Sequence, residues 1–153
     1  MGSEHEVLLY YTEVCWLVRG QVLKQLFELR TEVLLFLKDK GNSLSEYLKS
    51  EDLVRGLAYL ADIFTQLNEI NLSLQGSAVT IVDASERLKA FICKLPLWKR
   101  KVESGNFANF PMFEELIAQG DGNTISKMLQ KEVSKHLDTL QTSFEGYFNL
   151  ESL

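Results

Sequence analysis

A chain of 153 residues, with 46% hydrophobic and 24% charged residues, is long enough for one domain with a real core and ordinary in make-up for a globular protein. The net charge of −5 argues against a surface that grips phosphates all round, and leaves room only for a local basic patch. No apolar run approaches the ~18–20 residues of a membrane span, and the first residues read neither as a secretory signal nor as a myristoylation site, since Glu6 stands where Ser or Thr is required.

Val7 to Tyr11 is a short apolar run rich in strand formers. From Trp16 the period turns helical: Val22, Leu26, Leu29, Val33 and Phe36 share one face, and Gly41-Asn42 supplies the stop. Ser43 to Glu46 reads as a capping box opening a short helix, and Ser50 or Glu51 as the start of the next. There Leu53, Leu57, Leu60, Phe64, Leu67, Asn71 and Leu74 alternate by four and three, a packing seam with one polar residue inside it. Asn71 either fixes register or sits in a frayed last turn.

Thr80 to Asp83 offers a second capping box, followed by Ile81, Ala84, Leu88, Phe91, Leu95, Trp98 and Val102 in the same alternation. Two consecutive helices with matching seams should pair antiparallel. Pro96 should kink the second at a cost of roughly 3 kcal/mol, unless packing of Leu95 and Trp98 outweighs it. A turn at Ser104-Gly105-Asn106 leads to the cluster Phe107, Phe110, Pro111, Met112, Phe113, read as a lid over the helix ends, and to a short helix stopping at Gly120. After a tight turn at Asp121 to Asn123, the last helix carries Ile125, Leu129, Val133, His136 or Leu137, Leu140, Phe144 and Phe148. The expected fold is all-α: an antiparallel bundle of four long and two short helices with an apolar N-terminal arm.

Few residues offer chemistry. Cys15 and Cys93 are far apart and form no CxxC pair, so both read as buried free thiols rather than zinc ligands or a disulfide. Glu28 and Glu32 share a face away from the seam and read as solvent-exposed, like Glu51-Asp52, Asp62, Glu69 and Glu114-Glu115; two-metal phosphoryl chemistry needs carboxylates converging from separate elements. His5 and His136 form no ligand pair, and neither a P-loop, a G-x-S-x-G elbow nor a G-x-G-x-x-G run occurs. No catalytic residue, metal site, cofactor or small-molecule substrate is expected. Trp16 with Arg19 could stack a base and clamp a phosphate, or Trp16 could anchor the core. Lys99-Arg100-Lys101 is the compact basic run, either a nucleic-acid contact or a solvated helix end suited to its dipole.

The stretch Thr12-Glu13-Val14-Cys15-Trp16-Leu17-Val18-Arg19-Gly20 resembles the T-x-x-R-W-x-S-R-G segment of hAT-superfamily transposases of the Charlie/Buster, BED-finger-associated type. The resemblance extends through Leu26 to Arg30, Leu57 to Phe64, the string Leu67 to Gly76, and Leu97 to Phe107, and covers essentially the whole chain. Cys15 stands where the family has Arg, and Val18 where it has Ser. In that family the segment joins an RNase-H-like core to an all-helical insertion that contributes to transposon-end contacts or assembly. The resemblance therefore implies that residues 1–15 are an extended arm, a remnant of the core, and that residues 16–153 are a helical insertion-type domain. The family's three acidic residues fall outside this sequence and none is carried over. Many members are host genes that act in the nucleus without transposing.

Two functions from different classes follow. One is a non-catalytic interaction module, transposase-derived and nuclear, that binds a protein partner or itself through matched seams and an apolar arm deprived of its sheet. The other is an accessory nucleic-acid-binding domain that uses Trp16, Arg19, Lys99, Arg100 and Lys101 on transposon-end-like DNA. Neither involves a membrane.

Overall fold

The computed structural model describes residues 16–120 and 125–148, with side chains from residue 19 onward. The expected apolar arm, Cys15 and the turn at Asp121 to Asn123 lie outside the described residues. Among those described there are seven helices and no strand: α1 (Trp16–Glu28), α2 (Arg30–Asp39), α3 (Leu44–Tyr47), α4 (Glu51–Ser73), α5 (Ile81–Glu103), α6 (Pro111–Gln119) and α7 (Lys127–Tyr147).

Most boundaries follow from local chemistry. Ser50 accepts the Leu53 amide at the head of α4, and Ser126 accepts the Leu129 amide at 3.1 Å at the head of α7. At α5 the expected capping box closes in both directions: Thr80 Oγ1 accepts the Asp83 amide at 3.1 Å, while Asp83 Oδ2 accepts the Thr80 amide at 3.0 Å. The Thr80 hydroxyl holds the Asp83 carboxyl below its ordinary value. Gly41 and Gly105 take φ of 62° and 79°, the left-handed conformation that ends a helix most cheaply on glycine.

Three expectations fail here. The box at Ser43 to Glu46 does not form: Ser43 is already helical (φ −59°, ψ −22°) and caps nothing, and Asn42 Oδ1 accepts the Leu44 amide at 2.9 Å instead. Glu46 pairs with Lys49. The single helix expected between Trp16 and Gly41 is interrupted at Leu29 (φ −92°, ψ 12°), and of the α2 residues expected on its apolar face Val33 is half-buried and Phe36 exposed. Arg30 supports the break by donating to the Phe27 carbonyl at 2.8 Å with its guanidinium 4.4 Å from the Phe27 ring centre. Cys93, expected inside, is exposed on α5.

The centre of the bundle is α4, which touches α1, α5, α6 and α7. Its seam residues Leu57 and Leu67 are buried as expected, but so are Ala58, Tyr59, Ala61, Asp62 and Ile63, because α4 is covered on several sides. Opposite it, α1 runs antiparallel and packs closely at buried Gly20, where a Cβ would stand 2.9 Å from Asn68 Nδ2 and 3.1 Å from Phe64 Cβ. The expected antiparallel run of α4 and α5 is present, with Arg87 donating to the Ser73 carbonyl near their connection. The main neighbour of α5 is nevertheless α7, not α4. Phe91, Leu95, Trp98 and Val102 are buried along α5, which continues through Pro96.

The aromatic cluster closes the core. Phe107, Phe110 and Phe113 are buried, with edge-on contacts from Phe107 to Phe113 (centroids 5.1 Å apart), Tyr59 to Phe110 (5.2 Å) and Trp98 to Phe110 (5.8 Å). Helix α6 is held at both ends by α4. Asp62 accepts the Met112 and Phe113 amides at 3.2 and 3.0 Å in the first turn of α6, where Phe110 supplies no side-chain cap. At the other end the buried Arg55 guanidinium lies against Gly120, where a Cβ would come within 2.7 Å of it, and pairs with Glu51 at 3.1 Å. An anion at the N-terminus and a cation at the C-terminus both suit the dipole of α6.

Candidate functional site

Helix α2 carries five consecutive apolar residues, Val33 to Leu37, and buries none of them. Leu35 and Phe36 are 61% and 60% exposed. Among the described residues the helix packs chiefly on its chain neighbours α1 and α3, and α3 adds exposed Leu44 and Tyr47. A run of this kind has apolar side chains on every face, and while Val33, Leu34 and Leu37 are half-buried, Leu35 and Phe36 are left uncovered by the described residues.

Beyond α3 lies an apolar groove of about 480 Å³ between α1, α4 and α7, lined by Leu26, Leu48, Leu53, Leu57, Leu60 and Leu129 among others. Its polar features are Glu132 and the pair in which the Tyr59 hydroxyl meets His136 Nδ1 at 2.8 Å. Burial pushes the Tyr59 phenol up and the His136 imidazole below 6.5, so both are neutral near pH 7. With a neutral ring the Tyr59 O–H donates, Nδ1 accepts, and the imidazole proton sits on Nε2.

The residues singled out in the sequence are not brought to one place. Arg19 is exposed on α1, which packs on α4, whereas Lys99, Arg100 and Lys101 are on the last turns of α5, which packs on α7. The Trp16 side chain lies outside the described residues. Even the basic run splits: Lys99 turns toward α7 and pairs with Asp138 at 2.7 Å, which raises its pKa, while Arg100 is exposed and Lys101 donates to Asn109 at 3.0 Å. Glu28 and Glu32 are exposed as expected, with Glu28 3.9 Å from Lys24. Among the described residues no three His, Cys, Asp or Glu side chains gather so as to hold a metal ion, and no described helix is long and apolar enough to cross a membrane.

A second groove, about 560 Å³, runs between α5 and α7 and is lined by Lys99, Lys127, Lys131 and Lys135 with Glu103, Gln130, Ser134 and Asp138. The three α7 lysines escaped the sequence reading because they stand four residues apart rather than side by side. Helical spacing makes them one row.

Residues 1–103 match the model of the FAM200/GTF2IRD2 helical domain. The chain belongs to the FAM200/GTF2IRD2-like family. It is also 39% identical over 141 residues to the general transcription factor II-I repeat domain-containing protein 2 of Bos taurus, a match covering 90% of this chain and 15% of that protein. These are transposase-derived families, so a transposase-derived helical domain, as the sequence suggested, is what this chain is. No solved structure matches it. The FAM200/GTF2IRD2-like match takes in α1 to α5, including Gly20, the α2 face and the Asp62 cap, whereas the α7 lysines lie beyond it.

Proposed function

We propose that this FAM200/GTF2IRD2-like domain is a non-catalytic association module that holds protein partners, in the first place a second copy of itself. The observation that carries the reading is α2: five successive apolar residues, none of them buried by the described residues, on a helix that packs chiefly on α1 and α3. Two α2 faces meeting about a two-fold axis would cover Leu35 and Phe36 of both copies with a single self-complementary patch. The transcription-factor name of the bovine relative supports a nuclear setting, and the Thr12 to Gly20 segment supports the narrower assignment to hAT transposases of the Charlie/Buster type. Gly20 has a physical reason to be glycine in such a segment, since it lets α1 reach α4. Residues 1–15 as a remnant arm and 16–153 as the insertion-type domain belong to the same proposal.

Light scattering on a size-exclusion column tests it. The wild type should show a mass rising with concentration toward a dimer, and the double variant Leu35→Ser/Phe36→Ser should stay monomeric with unchanged helical content. A wild type that is monomeric at high concentration removes self-association.

A second reading, an accessory nucleic-acid-binding domain, is favoured by the lysine row of α7 rather than by Trp16 and Arg19.

A further inference from the structure

We propose that the α5–α7 groove binds the phosphate backbone of duplex nucleic acid through Lys127, Lys131 and Lys135, without reading its sequence. The site shares no residue with the α2 face, so each stands or falls alone. Four lysines line this groove against two carboxylates, in a chain whose net charge is −5. Both carboxylates are engaged: Asp138 accepts from Lys99 at 2.7 Å, and Glu103 accepts from the Ser134 hydroxyl at 2.8 Å. The three α7 lysines are exposed and make no ion pair with any described residue, although Glu132 and Asp138 stand three positions either side of Lys135.

Geometry selects the ligand. Residues four apart on a helix are about 6 Å apart along its axis, so the row spans about 12 Å. One strand of a duplex advances about 3.4 Å per phosphate, so a row of about 12 Å runs alongside about four or five phosphates, and its three ammonium groups can contact about three of them, roughly every second one. A periodic polyanion matches a periodic row; a single phosphate or carboxylate would engage one lysine and leave the others idle. The groove is also held rigid behind the lysines. Gln130 Nε2 donates to the Val102 carbonyl at 2.6 Å, and Phe91 and Phe144, with centroids 5.4 Å apart, lock the far ends of the two helices.

Fluorescence anisotropy of the full chain with a labelled duplex of arbitrary sequence tests this. Contact with about three phosphates gives a slope of log affinity against log salt of about −2.7, so a fourfold rise in salt costs about 40-fold in affinity. The variant Lys127→Gln/Lys131→Gln/Lys135→Gln should lose most of the binding and nearly all of that slope, with its circular dichroism unchanged, while Arg100→Gln/Lys101→Gln should retain both. No binding by the wild type at low salt would overturn the proposal, as would a triple variant that binds as well as wild type. Tighter binding to phosphatidylserine vesicles or to polyglutamate than to the duplex would overturn the nucleic-acid assignment.

Discussion

Replacing Asp62 by asparagine separates the two forces acting on the cap of α6. The carboxyl is only 4% exposed, and burial lifts its pKa from 3.8 to about 6 against the pull of the Phe113 and Met112 amides, which favour the ion. The sign follows from proton counting. Between about pH 4 and pH 6 the folded chain holds more protons at this group than the unfolded chain, so its contribution is fully present below pH 4 and lost as pH rises through 6. A shift of about two units corresponds to about 3 kcal/mol. Asparagine cannot ionise; it accepts one amide and presents an NH₂ to the other, costing about 1–3 kcal/mol at every pH. Urea unfolding at a series of pH values should therefore show the stability of wild type minus Asp62→Asn falling by about 3 kcal/mol from about pH 4 to pH 7. His136, whose lowered pKa makes both proteins less stable as pH falls below 6.5, cancels in the difference. A difference that stays flat would refute the buried-ion reasoning, and one that grows with pH would mean that the amides outweigh burial.

Three other outcomes follow from the same geometry. Gly20→Ala should lose about 1 kcal/mol in urea unfolding, because the contact at 3.1 Å from Phe64 Cβ outweighs the roughly 1 kcal/mol gain in helix propensity; a stabilised variant would show that α1 and α4 are not tightly apposed. Tyr59→Phe leaves His136 Nδ1 without its donor and should cost about 1 kcal/mol near neutral pH; an unchanged stability would contradict the hydrogen bond between the two. Leu35→Ser/Phe36→Ser should change monomer stability by no more than about 0.5 kcal/mol, since these side chains touch water already; a large loss would mean that α2 is structural.

Starts and stops were legible in the sequence where a single side chain or glycine decides them: Thr80, Ser50, Gly41 and Gly105 act within a few residues of themselves. Helix partnership was not. Several seams alternate by four and three alike, so nothing local says that α5 spends most of its length on α7. The interruption at Leu29 was hidden because Leu29 continues the apolar period. Asp62 read as one more surface acid, although its neighbours Ala58, Ala61 and Ile63 mark the position as inward; its partners are some fifty residues on, and no spacing rule reaches them. The α7 lysines needed a count by fours rather than a search for a run. Trp16, Arg19 and the Lys99 to Lys101 run drew attention by resemblance and by adjacency, neither of which brings side chains together in space.

Hydrogen–deuterium exchange as a function of protein concentration tests most directly whether α2 is an association surface. Amides of residues 30–39 should exchange quickly in dilute solution and become protected as concentration rises, while those of α4 and α5 keep the same protection throughout. Exchange in α2 that is already slow when dilute, or indifferent to concentration, would contradict it.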